Sequence, residues 1–196
     1  MILSEEDMKL FESVKEQLLR DYEENTALNV SDLVESLMDR EDVPIHHPIH
    51  HFIMPGALLT AAASSQKLSE VRLLEMLEIA EERSKNILGG FCGNYGACGA
   101  GVGAGIFMSV YTDSTPMSDQ TWSWCNELTG KCLQALSEIP GPRCCKRTTF
   151  LTLMTAVPYI NSKLGTRMIF NKDQECHYHD QNKECKRDQC PFYTES

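Results

Sequence analysis

The chain has 196 residues, with 28 acidic and 18 basic side chains, a formal net charge of −10 and nine cysteines. The length suits one compact domain with a core of its own, and the acidity argues against a general nucleic-acid binder, which needs a basic face to displace counterions. The cysteine count is odd and falls below the roughly 8–10% typical of secreted disulfide scaffolds, so that class is excluded too.

In chain order, the first stretch is acidic: residues 1–45 carry 13 acids and 4 bases, whereas residues 86–196 carry 10 of each. Met1-Ile2-Leu3 runs straight into Ser4-Glu5-Glu6-Asp7 with neither a basic nor an apolar leader, so a cytoplasmic location is expected. Ser4 and Asp7 form a capping-box pattern ahead of Met8, Phe11, Val14, Leu18 and Tyr22, an amphipathic helical spacing. Asn29 or Ser31 caps a second helix with Leu33, Val34, Leu37 and Met38 on its apolar face. Prolines 44, 48 and 55 predict a stiff connector, with Pro55 opening a small-residue helix from Gly56 to Ser65. Ser69 opens a longer helix in which Glu81 and Lys85 pair at i, i+4 and Gly89 is the stop.

From Asn86 to Thr112 there is no charged residue for 27 positions, but eight of these are glycine, so a buried segment is expected rather than a membrane span. A helix follows from about Asp119 to Ile139, and Pro142 is placed to open the next, which should kink or end near Pro158. The tail after Asn171 is polar and has no apolar core of its own, so something other than burial is expected to hold it. Strand-like alternation is nearly absent. The expectation is a mainly α-helical, all-α single domain, 1–196, of six or seven helices: an acidic helical region 1–45, a helical core 46–170 with Cys- and Gly-rich loops, and a Cys-rich tail 171–196 packed on the core.

The cysteines sort by environment. Cys125 and Cys132 share a helical stripe with Leu128 and Leu136 and read as core. Cys92 and Cys98 bracket a loop without periodicity, where the glycine amides of Gly93, Gly96, Gly99 and Gly101 could face an anion or the sulfurs of a metal or iron–sulfur site. Gly99, Gly101 and Ala104 also match a dinucleotide fingerprint, which lacks its βαβ context; close helix packing by small residues is the other reading. Cys144 and Cys145 follow Arg143 and precede Lys146 and Arg147 in a first helical turn, a setting that favours thiolate. Cys176, Cys185 and Cys190 are spaced C-x8-C-x4-C, unlike zinc ribbons, with Pro191 after the last. His46, His47, His50 and His51 pair at i, i+4 if helical, either as polar residues bonding their neighbours or as ligands or acid–base groups.

On His46-His47-Pro48-Ile49-His50-His51, Cys92 through Gly105, Pro142 through Arg147, Asn182-Lys183-Glu184-Cys185 and Cys190-Pro191, the stretch from about His46 to Pro191 resembles an uncharacterised bacterial and archaeal Cys-rich domain family of unknown function. Members of that family stand alone or are appended to methyltransferase-type domains, and the resemblance therefore implies a methyltransferase-type partner. The Gly-rich Cys loop is more loosely similar to iron–sulfur serine dehydratases, from which no catalytic residue carries over.

Together these features lead to the expectation of an iron–sulfur protein, with metal ligands drawn from Cys92, Cys98, Cys144, Cys145, Cys176, Cys185 and Cys190 and a [4Fe–4S] cluster backed by Gly93, Gly96 and Gly99. If it is an enzyme, it is of lyase or sulfur-transfer type: an open iron acts as Lewis acid, Arg143 with Lys146 and Arg147 attracts a small anionic substrate, and His47 or His51 moves the proton. The alternative is a zinc-stapled binding module without catalysis. A redox pair of Cys144 and Cys145 ranks below both, because adjacent cysteines bridge poorly. Neither nucleic acid nor membrane is an expected partner.

Overall fold

The computed structural model describes residues 3–24 and 28–195; Met1 and Ile2, on which the leader reading begins, lie outside the described residues. The fold is all-α, with eight helices and no strand among those residues: α1 Glu5–Glu24, α2 Val30–Met38, α3 Ile49–Gln66, α4 Glu70–Lys85, α5 Phe91–Asn94, α6 Gly99–Tyr111, α7 Gln120–Ser137 and α8 Cys145–Leu164. The caps follow the sequence. Ser4 and Asp7 exchange bonds, with the Ser4 amide donating to Asp7 Oδ2 at 2.6 Å and the Asp7 amide to Ser4 Oγ at 3.2 Å. Asn29 caps α2 and Ser69 caps α4. α4 stops at Lys85, before Gly89, and the left-handed residue is Gly90.

Helix α3 is the axis of the fold. From Phe52 to Ala63 every residue is buried, and the helix touches α1, α2, α4, α6 and α8, which is how a helix apolar all round must sit. The expected break at Pro55 does not occur: the helix starts six residues earlier and runs through the proline. A proline in a helix interior leaves the carbonyl four residues back without its donor. That carbonyl belongs to His51, and Ser84 Oγ of α4 donates to it at 3.3 Å. Pro158 is likewise carried inside α8.

The uncharged stretch becomes α6, packed between α3 and α7. Its glycines are contact points: a Cβ on Gly103 would lie 2.9 Å from Pro55 Cδ, and one on Gly105 would lie 2.0 Å from Thr129 Oγ1 of α7. Small-residue packing thus accounts for these positions, and no helix is long and apolar enough to cross a membrane among the described residues.

Two further differences concern α8 and the tail. Pro142 does not open α8; Cys144 is its N-cap, with Sγ accepting from the Arg147 amide at 3.5 Å, so the helix begins three residues later. The tail does have apolar anchors, since Tyr178 and Phe192 are buried in the core and the Phe192 ring meets Phe150 edge-on at 5.4 Å. Polar ties run to α2: Gln174 Nε2 donates to Glu35 at 2.8 Å, and Tyr178 Oη donates to Asp39 at 2.6 Å.

The Glu81–Lys85 pair, at 2.7 Å, gains a third member in Lys15 of α1, whose Nζ lies 2.8 Å from Glu81 Oε2. Glu81 is 4% exposed and Lys15 8%. Removing one partner of such a buried pair strands the other charge. Lys15 keeps Glu12 at 2.9 Å after such a change while Lys85 loses its carboxylate, so Glu81→Ala is expected to lower stability by about 1–3 kcal/mol, read as a fall in the urea midpoint. At the start of α1, the Ser4 amide, aided by the Ser4 hydroxyl and His47, holds the Asp7 carboxyl below its ordinary value of 3.8. A depressed carboxyl contributes stability that is complete above its unfolded pKa and lost as pH falls through its folded one. Asp7→Asn should flatten the acid limb of stability below about pH 4 in pH-dependent urea unfolding.

Candidate functional site

The seven cysteines singled out in the sequence divide between two sites separated by the N-terminus of α8. Cys92, Cys98 and Cys145 line a cavity of about 320 Å³. Cys176, Cys185 and Cys190 line a pit of about 20 Å³ on the tail side. Cys144 borders both, but its sulfur accepts from Asn182 Nδ2 at 3.4 Å, which turns it to the tail. The remaining pair sits with the core, Cys132 fully buried and Cys125 packed against it.

Each cavity cysteine comes from a different element. Cys92 lies in α5, Cys98 is the N-cap of α6 and Cys145 is the first residue of α8. Gly96 turns the intervening loop at φ 69°, a conformation that favours glycine, and a Cβ on Gly93 would meet nothing within 4 Å. Burial pushes the Cys98 thiol up, against the amides of Ala100 and Gly101 and the Thr148 hydroxyl, which favour its thiolate. Burial likewise pushes Cys145 up to about 12, opposed by the His47 amide and by Arg143. The expectation that the first turn of α8 makes this cysteine a ready thiolate is therefore overturned, because loss of solvent outweighs the helix terminus and the neighbouring cation. It becomes anionic only against a partner of opposite charge.

The histidines of residues 46–51 point four ways. His46 Nε2 reaches Asn182 Oδ1 at 3.2 Å and Glu184 Oε2 at 2.9 Å, and so grips the tail. His47 lies outside the cavity, with Nε2 on Asp7 at 2.8 Å and Nδ1 accepting from the Ile49 amide at 3.1 Å; both of its nitrogens are occupied in holding α1 to α3. His51 does face the cavity. Its Nδ1 donates to the Ile87 carbonyl at 2.8 Å, which leaves the Nε2 lone pair of the neutral ring free to accept. Burial pushes its pKa below the ordinary imidazole value, which favours the neutral ring. His50, 2% exposed, also borders the cavity, donates from Nε2 to the Ile45 carbonyl at 3.1 Å, and has a buried Nδ1 without a hydrogen-bond partner among the described residues.

Arg143 is exposed at the cavity mouth, while Arg147, 5% exposed, donates to the Pro142 carbonyl at 2.9 Å and borders both cavity and pit. Leu136 and Ile139, at the end of α7 and just beyond it, form an apolar side. Thr148 has no role assigned from the sequence, whereas Arg147 is expected to help attract an anion and His50 is one of four candidate acid–base histidines. Arg147 and Thr148 lie within three residues of Cys145, but which turn of α8 faces inward cannot be read from spacing alone. Among the described residues, no group of three or more Cys, His, Asp or Glu side chains is already gathered at metal-binding geometry: the sulfurs line common walls without meeting at a point.

Gly99 is fixed by His51. A Cβ there would lie 2.0 Å from His51 Cδ2 and 2.4 Å from Nε2, so Gly99 gives the imidazole its place and need not offer an amide to a ligand. Gly99→Ala should displace the ring and cost about 1–3 kcal/mol in thermal or urea unfolding. Gly93→Ala, with open space around it, should fall within about 0.5 kcal/mol of the parent protein.

No curated protein and no solved structure matches the chain. The match to a family model begins well before His46, taking in the last turns of α1 and all of α2, and it ends just beyond the last tail cysteine. Both cysteine sites and all four histidines fall inside it, and the chain belongs to the family of unknown function DUF5714, whose model matches residues 18–193.

Proposed function

We propose that the cavity between α3, α6 and α8 holds a [4Fe–4S] cluster on Cys92, Cys98 and Cys145, and that the protein is a lyase or sulfur-transfer type enzyme acting on a small anionic substrate. The observation that carries this reading is that three thiols from three separate elements line one cavity of about 320 Å³ beside a neutral histidine with a free Nε2. That volume lies at the lower end of small-ligand sites and leaves room for more than a single ion. With three thiolate ligands, a cluster keeps one iron open to act as a Lewis acid on a hydroxyl, carboxylate or sulfur group.

The chain's own residues would divide the remaining work. The amides of Ala100 and Gly101 and the Thr148 hydroxyl stabilise negative charge on Cys98. Arg143, exposed at the mouth, attracts an anion, and Arg147, held by the Pro142 carbonyl, adds a fixed positive charge deeper in. His51 Nε2 accepts the proton, and the carbonyl of Ile87 fixes the tautomer that permits this. Leu136 and Ile139 keep water from the reacting groups.

The test is anaerobic purification, reconstitution with iron and sulfide, and a visible spectrum with iron and sulfide analysis. A brown protein with iron and sulfide in the ratio of one cluster per chain is expected. Cys92→Ser, Cys98→Ser and Cys145→Ser should each lower bound iron several-fold, whereas Cys125→Ser should retain it. A protein that stays colourless and iron-free after reconstitution overturns the reading.

A further inference from the structure

We propose that Cys144, Cys176, Cys185 and Cys190 form a second, independent metal site that takes one zinc ion as a tetrathiolate and clamps the tail to α8. Three observations outside the cavity support it. The first is size. The four cysteines line a pit of about 20 Å³, room for roughly one water-sized body, where a cluster with its own sulfides would have to displace Tyr178 and Asn182.

The second is the set of donors aimed at the sulfurs. Cys144 Sγ accepts from the Arg147 amide at 3.5 Å and from Asn182 Nδ2 at 3.4 Å, and Cys185 Sγ accepts from the Arg187 amide at 3.4 Å. A neutral thiol is a weak acceptor, so these three donors on two of the sulfurs suit thiolates, and N–H groups around ligating sulfur are the ordinary outer shell of a thiolate metal site.

The third is a buried cation that no carboxylate meets at ion-pair distance among the described residues. Lys146 is 0% exposed; its Nζ donates to the Met38 carbonyl at 2.9 Å, lies over the Tyr178 ring at 4.5 Å, and makes no ion pair among the described residues. The groups able to balance it are Asp39 and the sulfurs of Cys144, Cys145 and Cys176. Asp39 already accepts from Tyr178 Oη at 2.6 Å and from His177 Nε2 at 2.8 Å. A tetrathiolate zinc carries a net charge of −2, which Lys146 and the buried Arg147 together would neutralise.

Loading exchanges the thiol protons for the ion: the bound thiols release their protons to solvent and four sulfur–zinc bonds form, with no change of oxidation state. The experiment uses the full-length protein, purified without added metal and assayed for zinc, then apo protein titrated with cobalt. One zinc per chain, the intense visible bands of tetrahedral thiolate cobalt, and a zinc-edge absorption spectrum fitting four sulfurs at about 2.3 Å are expected. Cys176→Ser, Cys185→Ser and Cys190→Ser should lose zinc, and Cys92→Ser should keep it. If the tail variants fail to fold, the absorption spectrum of the unaltered protein still decides. Three sulfurs with one nitrogen, such as from the neighbouring His179, would overturn the tetrathiolate. Less than one-fifth of an equivalent of zinc with no cobalt bands, or zinc loss in Cys92→Ser, would overturn the site. Iron content is read separately, so this proposal and the cluster can fail independently.

Discussion

Helix α6 can lie where it does only because several of its positions have no Cβ. Its glycines meet α3 on one side, at His51 and Pro55, and α7 on the other, at Leu133 and Thr129, at distances that leave no room for a methyl group. That close approach sets Cys98 at the N-cap of α6 next to His51 of α3, and through α6 and α7 it places the N-terminus of α8, with Cys145, across the cavity. Larger residues along α6 would push the bundle apart by several tenths of an ångström at each contact, and close packing in a protein interior transmits such shifts to every neighbour.

Onto this frame the chain places groups whose charges burial resists. Burial raises Cys145 to about 12 and Cys176 to about 11, and lowers Lys146 to about 8, so each is driven toward its neutral form. Mutually opposed charges set side by side can escape that cost together, where each alone cannot. The acidic surface that dominates the net charge enters this balance through Asp39, the C-cap of α2. It belongs to α1 and α2, and the one acidic residue of α4 that is buried, Glu81, is answered by two lysines.

Features governed by neighbours in sequence were legible before the structure. The Ser4, Asn29 and Ser69 caps, the Glu81–Lys85 pair and the core role of Cys132 depend on residues within one or two helical turns. What escaped depends on partners far along the chain. Pro55 reads as a helix start because Ser84, its rescuer, is 29 positions away. The four histidines read as one cluster, yet His46 and His47 precede the first residue of α3 and turn to the tail and α1, while His51, in its first turn, faces inward. The tail reads as coreless because Tyr178 and Phe192 are isolated in a polar segment, and isolated anchors leave no periodicity. Cysteine identity was legible and its partition was not, because Cys144 and Cys145 read as one motif.

That partition has a geometric consequence. Cys144 has an extended backbone and Cys145 a helical one, so consecutive side chains leave the chain on opposite sides of a wall one peptide thick. Consecutive Cα atoms across a trans peptide stand a fixed distance of about 3.8 Å apart. A shift that draws the Cys144 backbone toward the tail therefore reaches Cys145 before any other residue of the cavity wall. The tail gives no side chain to the lining of the large cavity, yet it holds one edge of that cavity in place, much as a hem fixes the hang of a cloth it does not cover.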